Sequence, residues 1–325
     1  MARKQHLSVR AYSFNFRKYR ARGEERVLPL DTKLDFELPD GTQIEYASAL
    51  DIFKDFIAYS EQTADKEDVQ QLFRCEIDPA YVGETEKYHY MVFSVFSGYY
   101  GFASEVIDRK TKAVVHSRTK DEADVKEFYV MVVIPKLGEE SSPNRGLIFF
   151  QEIGVYGVKT VTANALQEFV SKYLKLTFRT QNLAPDFYLD KLFEKGNIKK
   201  IRLARNVESA DSADRLYGLS IGREERAIVP LQVTDDLKRQ LRHVSEDYYH
   251  FYTFDNTNYP EVKMEVTIGG RTRTINLHGL DDLSIEESLP DELLLVDGTV
   301  SLKGFLEHMH SVAEEYLEHL PCNIE

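Results

Sequence analysis

The 325-residue chain contains two cysteines and no tryptophan. Cys75 and Cys322 lie far apart, which excludes a disulfide-stapled scaffold and a cysteine-rich zinc module and predicts a reducing, cytoplasmic setting. No stretch approaches 18 uncharged apolar residues, so neither a membrane-spanning helix nor a membrane partner is expected. The opening MARKQHLSVRAYSFNFRKYR lacks the apolar run of a secretory leader. The phosphate-cradling patterns G-x-x-x-x-G-K-[ST] and G-x-G-x-x-G are missing, as are a G-x-S-x-G elbow, a kinase signature set and H-E-x-x-H. Those absences remove the common routes to kinase, dehydrogenase, serine-hydrolase and zinc-protease chemistry, and no cofactor is expected. No internal repeat and no low-complexity tract is present.

What is there reads as globular: 42% hydrophobic and 29% charged residues. The length suits two domains. The net charge is −13, which argues against a general nucleic-acid coat. The charge is unevenly spread. Residues 1–26 carry eight Lys/Arg against Glu24 and Glu25, and residues 191–205 carry six against Glu194. Residues 281–325 carry twelve Asp/Glu against Lys303. Because screening confines charge effects to about 8 Å at physiological salt, the two basic segments can act locally within an acidic chain.

Periodicity predicts an α+β fold of mixed, largely antiparallel sheets with packed helices. LSVRAYSFNF alternates as a strand, and KLDFEL and QIEYA flank Pro39-Asp40-Gly41 as a hairpin. Ser48 is placed to cap a helix with Leu50, Phe53 and Ile57 on its apolar face. The stretch 88–119 reads as two or more strands. EFYVMVVIP and GLIFFQEIG are apolar runs of strand length around a polar loop. Thr162 is expected to cap a helix over 163–173, before a strand at 176–180. A short helix is expected from Pro185 to Gly196, then NIKKIRLAR as a strand. A polar break at 206–226 divides domains 1–210 and 211–325. Beyond it come a strand at 227–233, a helix near 236–249, a hairpin turning at Gly269-Gly270 and a long amphipathic helix at about 301–320. The apolar stripe of that helix predicts docking on its own core or on a second chain.

Three groups of residues bear on function. Arg10, Arg17, Lys18 and Arg20 are interleaved with Tyr12, Phe14, Phe16 and Tyr19, and Lys199, Lys200, Arg202 and Arg205 alternate with Ile201 and Leu203. Cations among aromatics can meet phosphates, although strand alternation sends one set of side chains into a core and leaves the other as an ordinary solvated face. Asp255, Glu261 and Lys263 form an acidic, E-x-K arrangement like that of metal-dependent nucleases, which need carboxylates for Mg²⁺ and a lysine near the attacked phosphate. Alternating charges on a solvent-facing strand produce the same pattern, and the favoured expectation is no metal and no catalytic residue. The histidines lack the partners of a zinc set.

Two stretches carry a family resemblance. GLIFFQEIGVYGVKTVTANALQEFV (146–170) gives an apolar strand, a glycine-punctuated turn and a helix. FEKGNIKKIRLARNVESADSAD (193–214) gives a glycine turn, a basic strand and an acidic exit. In this order, over about 125–215, the chain resembles the RexA-like phage-exclusion proteins and related prophage-encoded proteins. The resemblance implies a non-enzymatic, cytoplasmic homodimer that binds DNA with little sequence preference in antiviral defence, with a defence-system protein as a further partner. The acidic C-terminal stretch departs from the family pattern. The expected phosphate contacts are Arg10, Arg17, Lys18, Arg20, Lys199, Lys200, Arg202 and Arg205. The alternatives are a metal-dependent nuclease using Asp255, Glu261 and Lys263, and an acidic interaction subunit docking through 281–325.

Overall fold

The computed structural model describes residues 6–19, 26–62, 65–66, 70–137, 141–183, 193–208, 221–246, 252–255, 257–268, 270–277, 284–296, 298–318 and 320. The fold is α+β, built on antiparallel pairing. Its strands are β1 (Leu7–Lys18), β2 (Leu34–Glu37), β3 (Gln43–Tyr46), β4 (Asp65–Lys66), β5 (Gln71–Glu76), β6 (Val82–Glu84), β7 (Tyr88–Tyr99), β8 (Ser104–Ile107), β9 (Val114–Arg118) and β10 (Asp124–Pro135). Then follow β11 (Gly146–Ile153), β12 (Tyr156–Gly157), β13 (Leu176–Asn182), β14 (Asn197–Glu208), β15 (Ile221–Ile228), β16 (Tyr252–Phe254), β17 (Thr257–Tyr259), β18 (Glu261–Ile268), β19 (Arg271–Asn276) and β20 (Ser284–Ser288). The helices are α1 (Ala49–Gln62), α2 (Lys159–Leu174), α3 (Asp235–Glu246) and α4 (Leu302–Leu317). None of the described helices is long and apolar enough to cross a membrane.

The chain separates into two compact units. One comprises Met1–Leu7, Tyr12–Gln181 and Asp291–Glu325; the other comprises Ser8–Ala11 and Asn182–Pro290. The polar break expected at 206–226 falls mainly on 209–220, outside the described residues.

In the first unit the strand order is β4-β5-β7-β10-β11-β1, with β6 on β7, β12 on β11 and β13 on β1. Both faces of this sheet are covered. Tyr12, Phe14 and Phe16 share one face of β1 and pack with Phe53 and Phe56 of α1 and Phe169 of α2. The rings of Phe14 and Phe53 lie 5.4 Å apart, edge to face. On the other face, Tyr129 of β10 meets Phe305 of α4, and Phe149 of β11 meets Tyr316. Double coverage explains why EFYVMVVIP and GLIFFQEIG read as continuous rather than alternating runs. Gly146 is required in β11, because a Cβ there would sit 2.4 Å from the Phe14 ring.

The sequence pattern holds in most places and shifts in two. Ser48 Oγ accepts from the Leu50 amide at the start of α1, and Ser301 Oγ accepts from Gly304 at the start of α4. Helix α2 begins at Lys159, ahead of the expected cap. Thr162 therefore sits inside the helix, its amide donating to the Val158 carbonyl. The strand expected at 227–233 is β15, at Ile221–Ile228; the charged alternation of Arg223–Arg226 is a strand edge and not part of a linker. The apolar stripe of α4 is covered within its own unit, with Phe305, Met309, Val312 and Tyr316 buried. The short helix expected from Pro185 lies largely outside the described residues.

In the second unit the order is β15-β14-β18-β19-β20, followed by residues 8–11 of β1. One face is apolar: Ile201, Leu203, Val262, Met264, Val266, Ile275 and Ile285 are buried. The opposite face carries Lys200, Arg202, Glu261 and Lys263.

Candidate nucleic-acid interface

Strand register decides what the basic segment 191–205 presents. In β14, Ile201 and Leu203 point into the core, so Lys200, Arg202 and Ala204 take the outer face. β15 pairs with the segment from one side, setting Ala227 beside Arg202 and Glu225 beside Ala204. β18 pairs from the other side, setting Glu265 beside Lys200, Lys263 beside Arg202 and Glu261 beside Ala204. Lys199 is the extra residue of a bulge between Ile198 and Lys200, and it is exposed.

The short Ala204 side chain leaves a hollow of about 280 Å³ on this face, lined by Arg202, Arg223, Glu225, Glu261 and Lys263 among others. Arg223 reaches over it. Its Nε donates to Glu225 at 2.7 Å, and its two terminal nitrogens grip both oxygens of Glu261 at 2.8 and 2.6 Å. Glu261, then Glu225, hold the guanidinium pKa above its ordinary value. Arg202 and Lys263 stand directly opposite each other, both exposed, and neither makes an ion pair among the described residues. Like charges directly across a strand pair are mutually destabilising, so this is the point on the face where an added anion would relieve repulsion.

The other expected contacts are placed differently. Arg205 faces inward, and its Nε donates to Glu224 at 2.7 Å. Arg226 donates to the same carboxylate at 2.8 Å, and the Tyr259 hydroxyl donates at 3.2 Å. These donors, Arg205 first, hold the Glu224 carboxyl below the usual carboxylate range. Arg10 sits opposite Glu286, with its guanidinium 3.8 Å from that carboxylate. In the first unit, Arg17 is half-buried and donates from Nε to Asn15 Oδ1 at 3.1 Å, while Lys18 is exposed. Arg20 lies outside the described residues. Of the eight expected cations, Lys18, Lys199 and Arg202 are the clearly exposed ones.

The acidic E-x-K arrangement does not converge. Glu261 and Lys263 share the outer face of β18, but both Glu261 oxygens are held by Arg223. Asp255 lies 3.8 Å from Arg226, whose register neighbour Leu203 belongs to the opposite face. Among the described residues there is no cluster of three or more metal-ligating groups. Two residues escaped sequence reasoning. Lys263 was attached to metal chemistry rather than to the basic strand, and Arg223 fell in the presumed linker. The visible signal was alternation: E-x-K-x-E in β18 and R-x-E in β15 both mark solvent-facing rows. Scanned against protein-family models the chain matches none, and no curated protein matches it.

Proposed function

We propose that the protein binds nucleic acid through its phosphates, with little sequence preference and without catalysing a reaction. The observation that carries this reading is the opposed Arg202 and Lys263 on the outer face of the second unit's sheet, neither in an ion pair among the described residues, with Lys199 exposed further along β14. Two adjacent cations on rigid strands recognise charge spacing along a backbone, not a base edge, so contacts here position nucleic acid without reading it. Glutamates on either side of the hollow keep the patch small, which matches a chain of net charge −13. DNA as the partner, a cytoplasmic homodimer and a part in phage exclusion follow from the resemblance to RexA-like proteins and belong to the same proposal.

The test is a binding titration on duplexes of unrelated sequence across salt, with and without Mg²⁺. Replacing Arg202 and Lys263 together by Ala should weaken binding equally on all duplexes. It should also flatten log K against log salt by about 1 for each lost phosphate contact. An unchanged affinity and slope in the folded double variant would remove this face from the proposal. Mg²⁺-dependent cleavage would put the nuclease reading in its place.

A further inference from the structure

We propose that the first unit carries a separate site for single-stranded nucleic acid: a hollow that stacks a base between exposed tyrosines, continued by a β-ribbon whose basic tip follows the backbone. It rests on the nucleic-acid reading above but on different residues.

The ribbon is the two-stranded sheet of β8 and β9, with Ser104 opposite Arg118 and Ile107 opposite Val114. Apart from Arg118, every residue of these two strands is exposed, so the ribbon extends away from the core on both faces. An isolated two-stranded ribbon is marginal in water, and this one is held by its turn. Asp108 Oδ1 accepts from the Lys110 and Thr111 amides and from the Thr111 hydroxyl, which pulls the Asp108 pKa down. With that carboxylate engaged in the turn, the tip presents Arg109, Lys110 and Lys112 to solvent, none with an ion pair among the described residues. Residues 104–120 hold five Lys/Arg against two Asp/Glu. The acidic residues that follow lie at the root, where Glu122 is hydrogen-bonded to the Thr119 amide and Asp124 is paired with Lys126.

At that root is a hollow of about 290 Å³, lined by Gln71, Tyr99, Arg118, Lys126 and Tyr156 among others. The antiparallel register sets Tyr99 between Gln71 and Asp124. Gly98 lets β7 and β10 come together there, since a Cβ would lie 2.1 Å from the Asp124 carbonyl oxygen. Tyr99 is 59% exposed and Tyr156 51%, and Phe102, three residues beyond Tyr99 in the chain, is 73% exposed. Arg118 donates to the Phe102 carbonyl at 3.3 Å, and the Lys126 ammonium stands 4.9 Å from the centre of the Tyr156 ring. Exposed rings cost free energy that a stacked base recovers. Rings beside cations are how single strands are held without regard to sequence. The Gln71 amide, which donates to Ser97 Oγ at 2.8 Å, adds a polar group within the same hollow for a base edge. A paired base cannot enter such a hollow, so the site favours a single strand over a duplex.

Fluorescence anisotropy with a labelled single strand and with a duplex of equal length tests this on the full chain. Replacing Tyr99 and Tyr156 by Ala should weaken single-strand binding at least 10-fold and leave duplex binding and the salt slope unchanged. Replacing Lys110 and Lys112 by Ala should weaken single-strand binding and lower its salt slope by about 0.7 per lost contact. Circular dichroism checks folding, which exposed positions should preserve. Unchanged single-strand affinity in folded variants overturns the proposal, as does an inability of the parent protein to bind single strands. So does light scattering showing that these variants split a dimer while single-strand affinity stays constant, which would make the ribbon an interface between copies. If Arg202→Ala with Lys263→Ala leaves duplex binding intact while the tyrosine pair abolishes single-strand binding, the phosphate face falls and this site stands.

Discussion

The two units bury their sheets differently. In the first, helices lie on both faces of β10 and β11, and the core is dominated by rings: Phe14, Phe16, Phe53, Phe56 and Phe178 on one side, Tyr129, Phe149, Phe305 and Tyr316 on the other. In the second, β14 and β18 bury one face and give the other to charge, and a fully buried ion pair, Arg273 with Glu287, each 1% exposed, sits among the inward side chains. Where helices cover both faces of β10 and β11 no surface is left for a ligand, so the first unit's open features lie beyond the helices, at the hollow by Tyr99 and Lys126 and on the ribbon. A singly covered sheet offers its whole outer face, and there the balance of charges decides what binds.

The ion pair is the sharpest point of that difference. Removing one partner of a buried pair leaves an uncompensated charge, a loss of about 3–5 kcal/mol. Glu287→Ala should lower the denaturation midpoint accordingly. A double Arg273→Met, Glu287→Leu variant should recover most of the stability, because packed apolar groups of similar volume can replace such a pair. A Glu287→Ala protein as stable as its parent would mean that Arg273 finds other compensation.

Parity along a strand gives the next largest effect. In β10, Met131 faces α4 and Ile134 faces the aromatic cluster, both fully buried. Met131→Ala and Ile134→Ala should each cost about 2–5 kcal/mol. In β14, Leu203→Ala should cost a similar amount, while its neighbour Arg202→Ala should stay within about 0.5 kcal/mol. Chemical denaturation of the four variants measures this. A costly Arg202→Ala, or a tolerated Met131→Ala, would erase the distinction between the two sheets.

The same parity explains what the sequence made legible. The fold class, β1, the 34–46 hairpin, α1 and α4 were readable because alternation, caps and heptad-like spacing are local signals. The face of β14 was readable too, from Lys200 and Arg202 alternating with Ile201 and Leu203. What alternation cannot supply is the neighbour. That Glu265 stands beside Lys200, that Glu224 engages Arg205 and that Lys263 opposes Arg202 are products of register between strands, 61 residues apart in the case of Arg202 and Lys263. The +5 of residues 191–205 was therefore a true count and a misleading surface. The ribbon tip was passed over for the converse reason: β8 and β9 read as ordinary strands, and nothing local announces that no layer covers them.

A smaller effect belongs to the seam between α4 and β7. Tyr88 hydroxyl and His310 Nδ1 lie 2.7 Å apart, and the Tyr90 ring stands edge-on to the imidazole at 4.8 Å. Burial pushes the His310 pKa below its ordinary value, against the opposing pull of Glu314, and burial pushes Tyr88 up to about 12. With the native imidazole harder to protonate, the unfolded chain takes up the proton first as pH falls below about 6.5. Stability is complete above that pH and declines beneath it, until the native imidazole also titrates. His89, lowered by its own burial and then by Lys136, acts in the same direction. Thermal unfolding between pH 7.5 and about 5 should show a falling midpoint, and His310→Gln should make the fall shallower without abolishing it. An equal fall in parent and variant would assign the acid sensitivity to other groups.

The smallest expected effect has the most to say about the outer face of β14. Arg202 and Lys263 repel across one register step, exposed to water and with no ion pair among the described residues, so their repulsion amounts to only a few tenths of a kcal/mol. Removing Lys263 alone should leave stability unchanged or raise it slightly, and the gain should shrink as salt rises, since exposed charges are screened. Replacing Glu261 by Gln should act differently. It loosens the Arg223 grip on the hollow and adds one net positive charge to the face, at the small stability cost usual for an exposed pair. If the face exists to receive phosphates, the two variants should move duplex affinity in opposite directions, Lys263→Ala down and Glu261→Gln up, while stability hardly changes. If both leave affinity untouched, the opposed cations are only an unrelieved strain of strand register.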